Sequence, residues 1–207
     1  KVDDYIDEQS YNCFVQYRSI DNFYKDTKSF LSYYGIGELS PNTILIDLKE
    51  KFTQKDQFLN LINDVHRAKK NLLLLHSNLQ KFDGESPSLG LEKIDIFWNR
   101  NQPKNFEFSL ALALLMRSPN ISGLPEVHLH SQFETQRNAD KQRKYLNEFV
   151  ARSRIKGIDI DFYKKETIPS FTSDFIFVGI RERAKGESLD SYKSYFDECL
   201  SFCKDNE

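Results

Sequence analysis

The chain has 207 residues, 39% of them hydrophobic and 29% charged, with 29 Lys plus Arg against 31 Asp plus Glu and a net charge of −2. That length can bury a sizeable core without disulfides or metals, and 17 Phe with 10 Tyr exclude wholesale disorder, because disordered chains lack aromatics. The balanced charge argues against a general affinity for nucleic acid, the three cysteines (Cys13, Cys199, Cys203) against a disulfide framework, and the short apolar runs Leu72–Leu75 and Leu110–Met116 fall well below the ~18 residues of a membrane span.

In chain order, Cys13–Tyr17 reads as a strand. Asp21 is placed to cap a helix carrying Phe23, Tyr24, Thr27, Phe30, Leu31 and Tyr34 at helical spacing, and Gly35 sits where a left-handed stop is expected. Thr43–Leu48 is a β-branched, apolar run that predicts a buried strand. Phe58, Leu61, Ile62 and Val65 form the stripe of an amphipathic helix, and Asn71–His76 predicts the next strand. Residues 77–91 carry Gly84, Pro87 and Gly90 and read as a loop. Lys93–Trp98 predicts a strand. Phe106–Met116, apolar on nearly every side, predicts a buried helix. A strand over Val127–His130 follows, then a long helix with Tyr145, Leu146, Phe149 and Val150 inward, and Gly157 ends the connection. Ile158–Tyr163 and Phe175–Val178 predict two more strands, and Leu189, Tyr192, Phe196, Cys199 and Cys203 mark a closing helix. This alternation predicts an α/β domain over 1–207, with a mostly parallel sheet and helices on both faces.

Few residues are placed for chemistry. Gly35-Ile36-Gly37 follows a helix rather than a strand, the reverse of a dinucleotide fingerprint. His128 and His130, two apart on a strand, share a face and would ligate a metal only with a third group that spacing does not supply, so they read as a solvent-side or loop-proximal pair. His66 stands on a helix, and His76, at a strand end, is by itself a weak sign of a site. Asp159 and Asp161 share a strand face as polar outward positions. Cys199 and Cys203 read as core thiols of a reducing compartment. Arg137, Lys141, Arg143, Lys144, Arg152, Arg154 and Lys156 form one dense basic stretch. A solvated helix face accounts for it, and contact with acidic lipid headgroups or an acidic partner loop is the alternative. A strand ending in Gly179, a loop with Lys185 and Gly186, and Ser188 as a helix cap are an arrangement that can cradle a phosphate, or can simply join a strand to a helix. No cofactor and no metal site is expected.

Three stretches in order resemble the cytosolic domain of cation-chloride cotransporters. Gly35-Ile36-Gly37-Glu38-Leu39-Ser40-Pro41-Asn42-Thr43 is similar to that family's Gly-Leu-Gly-x-Met-Lys-Pro-Asn-Thr signature. Lys93-Ile94-Asp95-Ile96-Phe97-Trp98 is similar to its Ile-Asp-Val-Trp-Trp strand. Phe106–Arg117 with Pro125–His130 is similar to its leucine-rich helix and the strand after it. Ser40 stands in place of a basic residue and Phe97 in place of the first tryptophan, as in a distant or prokaryotic member. The resemblance implies a universal-stress-protein-like fold and mainly the second half of the family's cytosolic domain. It implies a homodimer attached to the membrane-embedded transport domain of the same protein, at the cytoplasmic face. The parent would be a symporter of chloride with potassium or sodium, related to amino acid permeases, whose ion path lies outside this chain. Lys1 in place of a starting Met fits a piece of a longer protein. Gly35, Gly37, Pro41, Asn42, Asp95 and Trp98 are then architectural residues, and the chain is a regulatory module rather than an enzyme. The alternative is a stress-protein-like nucleotide sensor binding ATP at Gly179, Lys185, Gly186 and Ser188.

Overall fold

A computed structural model describes residues 19, 21–33, 42–48, 54–75, 91–98, 103–117, 124–153, 155–164, 171 and 173–205. The expected strand over Cys13–Tyr17, the Gly35, Gly37 and Pro41 turn, His76 and the 77–90 loop lie outside the described residues. The chain divides into two compact units, one formed by 1–46 with 50–74 and the other by 47–49 with 75–207.

In the first unit, helix α1 spans Phe23–Tyr33. Its cap is Asn22, one residue later than expected: Oδ1 of Asn22 accepts from the Lys25 N–H at 2.9 Å. Asp21 is instead held from inside the helix, where Oδ2 of Asp26 accepts from the N–H groups of Asp21 and Asn22. Strand β1 is Thr43–Asp47, helix α2 is Lys55–Arg67 and strand β2 is Asn71–Leu75. Strands β1 and β2 pair, and the Asn71 N–H donates to the Asn42 carbonyl at 2.7 Å. The expected stripe of α2 is its buried face, with Phe58, Leu59, Leu61, Ile62 and Val65 inside. Lys28 of α1 meets Asp64 of α2 at 3.1 Å.

Helix α2 stops without glycine. Lys69 takes a left-handed φ of 55°, its N–H donates to the His66 carbonyl at 2.8 Å, and the Lys70 N–H donates to the Val65 carbonyl at 3.2 Å. These two bonds satisfy carbonyls of the last turn. The geometry is the usual glycine stop, formed here by a residue that pays for its Cβ.

The second unit is a four-stranded parallel sheet with order β5-β4-β3-β6. Its elements are β3 (Lys93–Trp98), α3 (Pro103–Met116), β4 (Glu126–Phe133), α4 (Gln136–Ser153), β5 (Ile158–Lys164), β6 (Phe175–Val178) and α5 (Leu189–Asp205). The strand order runs outward from β3 to β5 and then reverses, so that β6 lies on the other side of β3.

Alternation along each strand separates two faces. Ile94, Ile96, Trp98, Val127 and Leu129 join Phe106, Leu110, Ala113 of α3 and Leu146 of α4 in one apolar core, with Ile158, Ile160, Phe162, Phe175 and Phe177 packed against it. The opposite face carries Asp95 and Phe97, His128 and His130, Asp161 and Tyr163, with Phe202 of α5 against Phe97. Helices thus flank both faces, as the alternation predicts. Helix α3 is not buried on every side: Leu115 is 64% exposed.

Candidate functional site

Two places in the second unit concentrate polar chemistry. The first is the carboxyl end of the sheet where the strand order reverses, between β3 and β6. Open α/β sheets place ligand crevices at such reversals, because neighbouring loops there diverge to opposite faces. Nδ2 of Asn105, near the start of α3, donates to the Ile180 carbonyl at 2.9 Å and ties the two sides together.

The 179–188 loop is closed on itself. The Arg181 guanidinium grips the Glu187 carboxylate through two contacts of 2.6 Å. It lies over the Tyr195 ring at 4.4 Å and the Tyr192 ring at 5.5 Å. The Tyr192 hydroxyl donates to the Arg181 carbonyl at 2.8 Å, and the Arg181 N–H donates to the Tyr195 hydroxyl at 3.0 Å. Glu187 also accepts from the Ala184 N–H and the Ser191 hydroxyl. Hydrogen bonds from Arg181 and from the Ala184 N–H, with the nearby positive charge, outweigh burial and hold the Glu187 carboxyl down at about 2.

The residues singled out in this loop take separate positions. Ser188 caps α5, its Oγ accepting from the Ser191 N–H at 3.1 Å. The Gly179 carbonyl accepts from the Tyr195 hydroxyl at 3.4 Å. Lys185 and Gly186 form an exposed turn, with Gly186 at a φ of +85° and open space where a Cβ would stand. The strongest anion-binding group of the loop, the Arg181 fork, already holds a carboxylate of its own chain.

The second place is a row of charged groups across the middle of the sheet. Nε2 of His130 lies 2.9 Å from Oδ1 of Asp95, and Nδ1 of His130 lies 3.7 Å from Oδ2 of Asp161. The same Oδ2 is 3.7 Å from Nδ1 of His128, whose Nε2 is 3.5 Å from Glu126. Lys93 reaches Asp95 at 3.6 Å. His130 is 1% exposed and Asp95 0%, which corrects the expectation of a solvent-side histidine pair. His128 is partly covered, and Asp161 and Glu126 open progressively to solvent.

Burial raises the Asp95 carboxyl, but hydrogen bonding by His130 and Ser173 and the charges of His130 and Lys93 leave it below the usual carboxylate range. These contacts are close but poorly aligned: both oxygens of Asp95, both ring nitrogens of His130 and the Ser173 hydroxyl are buried without a hydrogen bond of full geometry. The 2.9 Å separation is therefore a close approach more than a directed bond. Beside the pair, burial and the Asp161 and Asp95 carboxylates push the Tyr163 hydroxyl up to about 12.

The His128 and His130 rings are parallel, 5° apart in plane, with centroids 6.2 Å apart. Metal bonds to imidazole and carboxylate are ~2.0–2.2 Å, and no cluster of three His, Cys, Asp or Glu among the described residues closes to that reach. Cys199 and Cys203 stand as thiols, partly covered, on α5. Burial pushes the Cys199 thiol up, which makes it a weak nucleophile.

Of the residues expected to be architectural, Trp98 is buried and stacks on Tyr145 with centroids 5.6 Å apart, and Asn42 accepts from the Thr43 hydroxyl at 2.9 Å. Asp95 instead lies at the centre of the charged row. A signal for that row is present in the sequence: Ile-Asp-Ile, His-Leu-His and Ile-Asp-Ile-Asp recur on successive strands. It becomes legible once β3, β4 and β5 are aligned, with His128 opposite Asp95 and Asp159, and Asp161 opposite His130.

No protein-family model matches the chain, and no curated protein matches it either. Among solved structures, the chain is similar to one described as the crystal structure of the cytoplasmic domain of a prokaryotic cation chloride cotransporter, with a TM-score of 0.56 and 12% identity. The likeness covers 86% of this chain and 66% of that one, so the chain spans just under two thirds of its length. At that identity the likeness is one of fold. No helix among the described residues is long and apolar enough to cross a membrane.

Proposed function

We propose that this chain is the regulatory and assembly domain of a secondary transporter of chloride with potassium or sodium. In this reading it lies at the cytoplasmic face of the membrane, forms a homodimer and attaches to the membrane-embedded part of its own protein. The observation that carries the reading is the likeness of fold, over 86% of the chain, to a cotransporter's cytoplasmic domain. The ordered resemblance of Gly35–Thr43, Lys93–Trp98 and Phe106–Arg117 with Pro125–His130 points the same way. The reading assigns this chain no catalytic step, no cofactor and no nucleic-acid partner. Fold alone does not specify function.

The second reading, a nucleotide sensor, draws on the position of the 179–188 loop at the strand-order reversal. The Arg181–Glu187 clamp weighs against it, since a phosphate would have to displace that carboxylate.

Sedimentation equilibrium of the chain across a concentration series, with and without ATP, separates the two. The regulatory reading expects a reversible homodimer whose association is indifferent to ATP. A monomer at every concentration that binds ATP tightly would overturn it.

A further inference from the structure

The row across the sheet alternates carboxylate and imidazole: Glu126, His128, Asp161, His130, Asp95. Successive contacts are 3.5, 3.7, 3.7 and 2.9 Å. Side-chain exposure is 76% at Glu126, 17% at His128 and 43% at Asp161, against 1% at His130 and 0% at Asp95. From this geometry we infer that the five groups bind protons as one coupled unit, a site that transmits the external pH to the buried Asp95–His130 pair.

Three observations support this. The separations lie far inside the ~8–10 Å over which salt screens charge, so protonation at one group changes proton affinity at the next. The two contacts of Asp161, at 3.7 Å, exceed hydrogen-bond length, so there the coupling runs through charge. The inner pair is buried with its polar atoms misaligned. Buried polar atoms are ordinarily bonded in good geometry.

The groups facing the row come from every element packed on it. Strand β3 supplies Lys93 beside Asp95. Strand β5 supplies Asp159, opposite His128 in register, and Tyr163, stacked on His130 at 5.5 Å. Ser173 adjoins Asp95. Aromatic rings close the rest: Phe97 and Phe171 lie 5.1 and 4.7 Å from the His130 ring, and Phe202 of α5 packs on both of them. An imidazolium attracts aromatic faces where a neutral imidazole does not. The proton load of His130 is thus felt by the rings that seat α5. Under the regulatory reading this is a pH input to the domain, but proton binding itself does not depend on that reading.

The test is NMR titration of the His128 and His130 ring signals in the chain, with Asp161→Asn and Glu126→Gln variants. Both substituted carboxylates are partly or largely exposed, so the fold tolerates their neutralisation. The expected result is that both rings follow curves broader than the about two pH units of an independent group. Asp161→Asn should narrow and separate them. Glu126→Gln should displace the His130 curve even though two groups intervene, while Glu107→Gln on α3 leaves it in place. One-proton curves for both rings, unmoved by either substitution, would overturn the proposal, and so would a His130 ring that keeps one protonation state until the chain unfolds. Neither result would bear on the oligomeric state, which tests the regulatory reading separately.

Discussion

Gly157 joins α4 to β5 and is the position where a single added carbon has the most calculable effect. Its φ is +70°, and a Cβ there would lie 2.6 Å from Nη2 of Arg117 and 3.1 Å from Nη1. That guanidinium fastens the end of α3 to the start of β5: Nη1 donates to the Lys156 carbonyl at 2.6 Å and approaches the Gly157 carbonyl at 3.3 Å. Gly157→Ala therefore has two costs. Holding an L-residue in the left-handed region costs about 1–2 kcal/mol, reduced by about 0.4–1 kcal/mol because alanine has less unfolded freedom to lose. Moving the guanidinium weakens a charge-assisted bond at the surface, about 1 kcal/mol. The net is about 1–2.5 kcal/mol, which for a chain of this size lowers Tm by about 3–8 °C. Thermal and urea denaturation followed by circular dichroism would read it. The double variant with Arg117→Ala separates the terms: with the guanidinium gone, the same glycine substitution should cost only its backbone part. A Gly157→Ala chain melting within a degree of the parent would refute the argument.

Two further predictions follow from the same kind of geometry. Lys69→Gly should stabilise the first unit by about 0.5–1 kcal/mol, since glycine removes the Cβ strain at φ 55° where α2 stops; slower amide exchange in the last turn of α2 would confirm it, and faster exchange would count against it. Glu187, with its folded pKa near 2 and an unfolded value of about 4.3, favours folding fully above that unfolded value and loses its contribution as pH falls toward 2. Its side-chain carboxyl carbon signal should therefore remain that of a carboxylate at pH 4, and titration in the ordinary range would show that the Arg181 clamp does not form.

The element sequence was legible because local patterns decide it. The stripe Phe58, Leu61, Ile62, Val65 has only one way to be buried, and Ile-Asp-Ile-Phe-Trp has the period of a strand. The alternation of β3, α3, β4, α4, β5 then allowed little except a parallel sheet with helices on both faces. Caps were legible to within a residue: Ser188 was readable, whereas Asn22 and Asp21 are both competent caps, and the choice between them falls to Asp26, which holds both N–H groups from the first turn. Lys69 as a helix stop had no signal, because lysine has no preference for positive φ.

The charged row was the least legible part. Along the chain, His128 and His130 are merely two residues on one strand face, and nothing local says whether that face meets water or aromatic rings. Their environment is set by groups distant along the chain, Asp95 on one side of them and Phe171 and Phe202 on the other. The same holds for the 179–188 loop, whose composition allows a phosphate cradle, while the Arg181–Glu187 clamp and the two tyrosines of α5 depend on how that loop turns back on its helix. The sequence by itself determined the periods, and with them the elements and the class of fold, because hydrophobic period is a property of neighbours in the chain. Tertiary structure alone decided which polar residues were taken out of water and beside which charges, because burial and Coulomb energy depend on distance in space, and strand order and register set those distances.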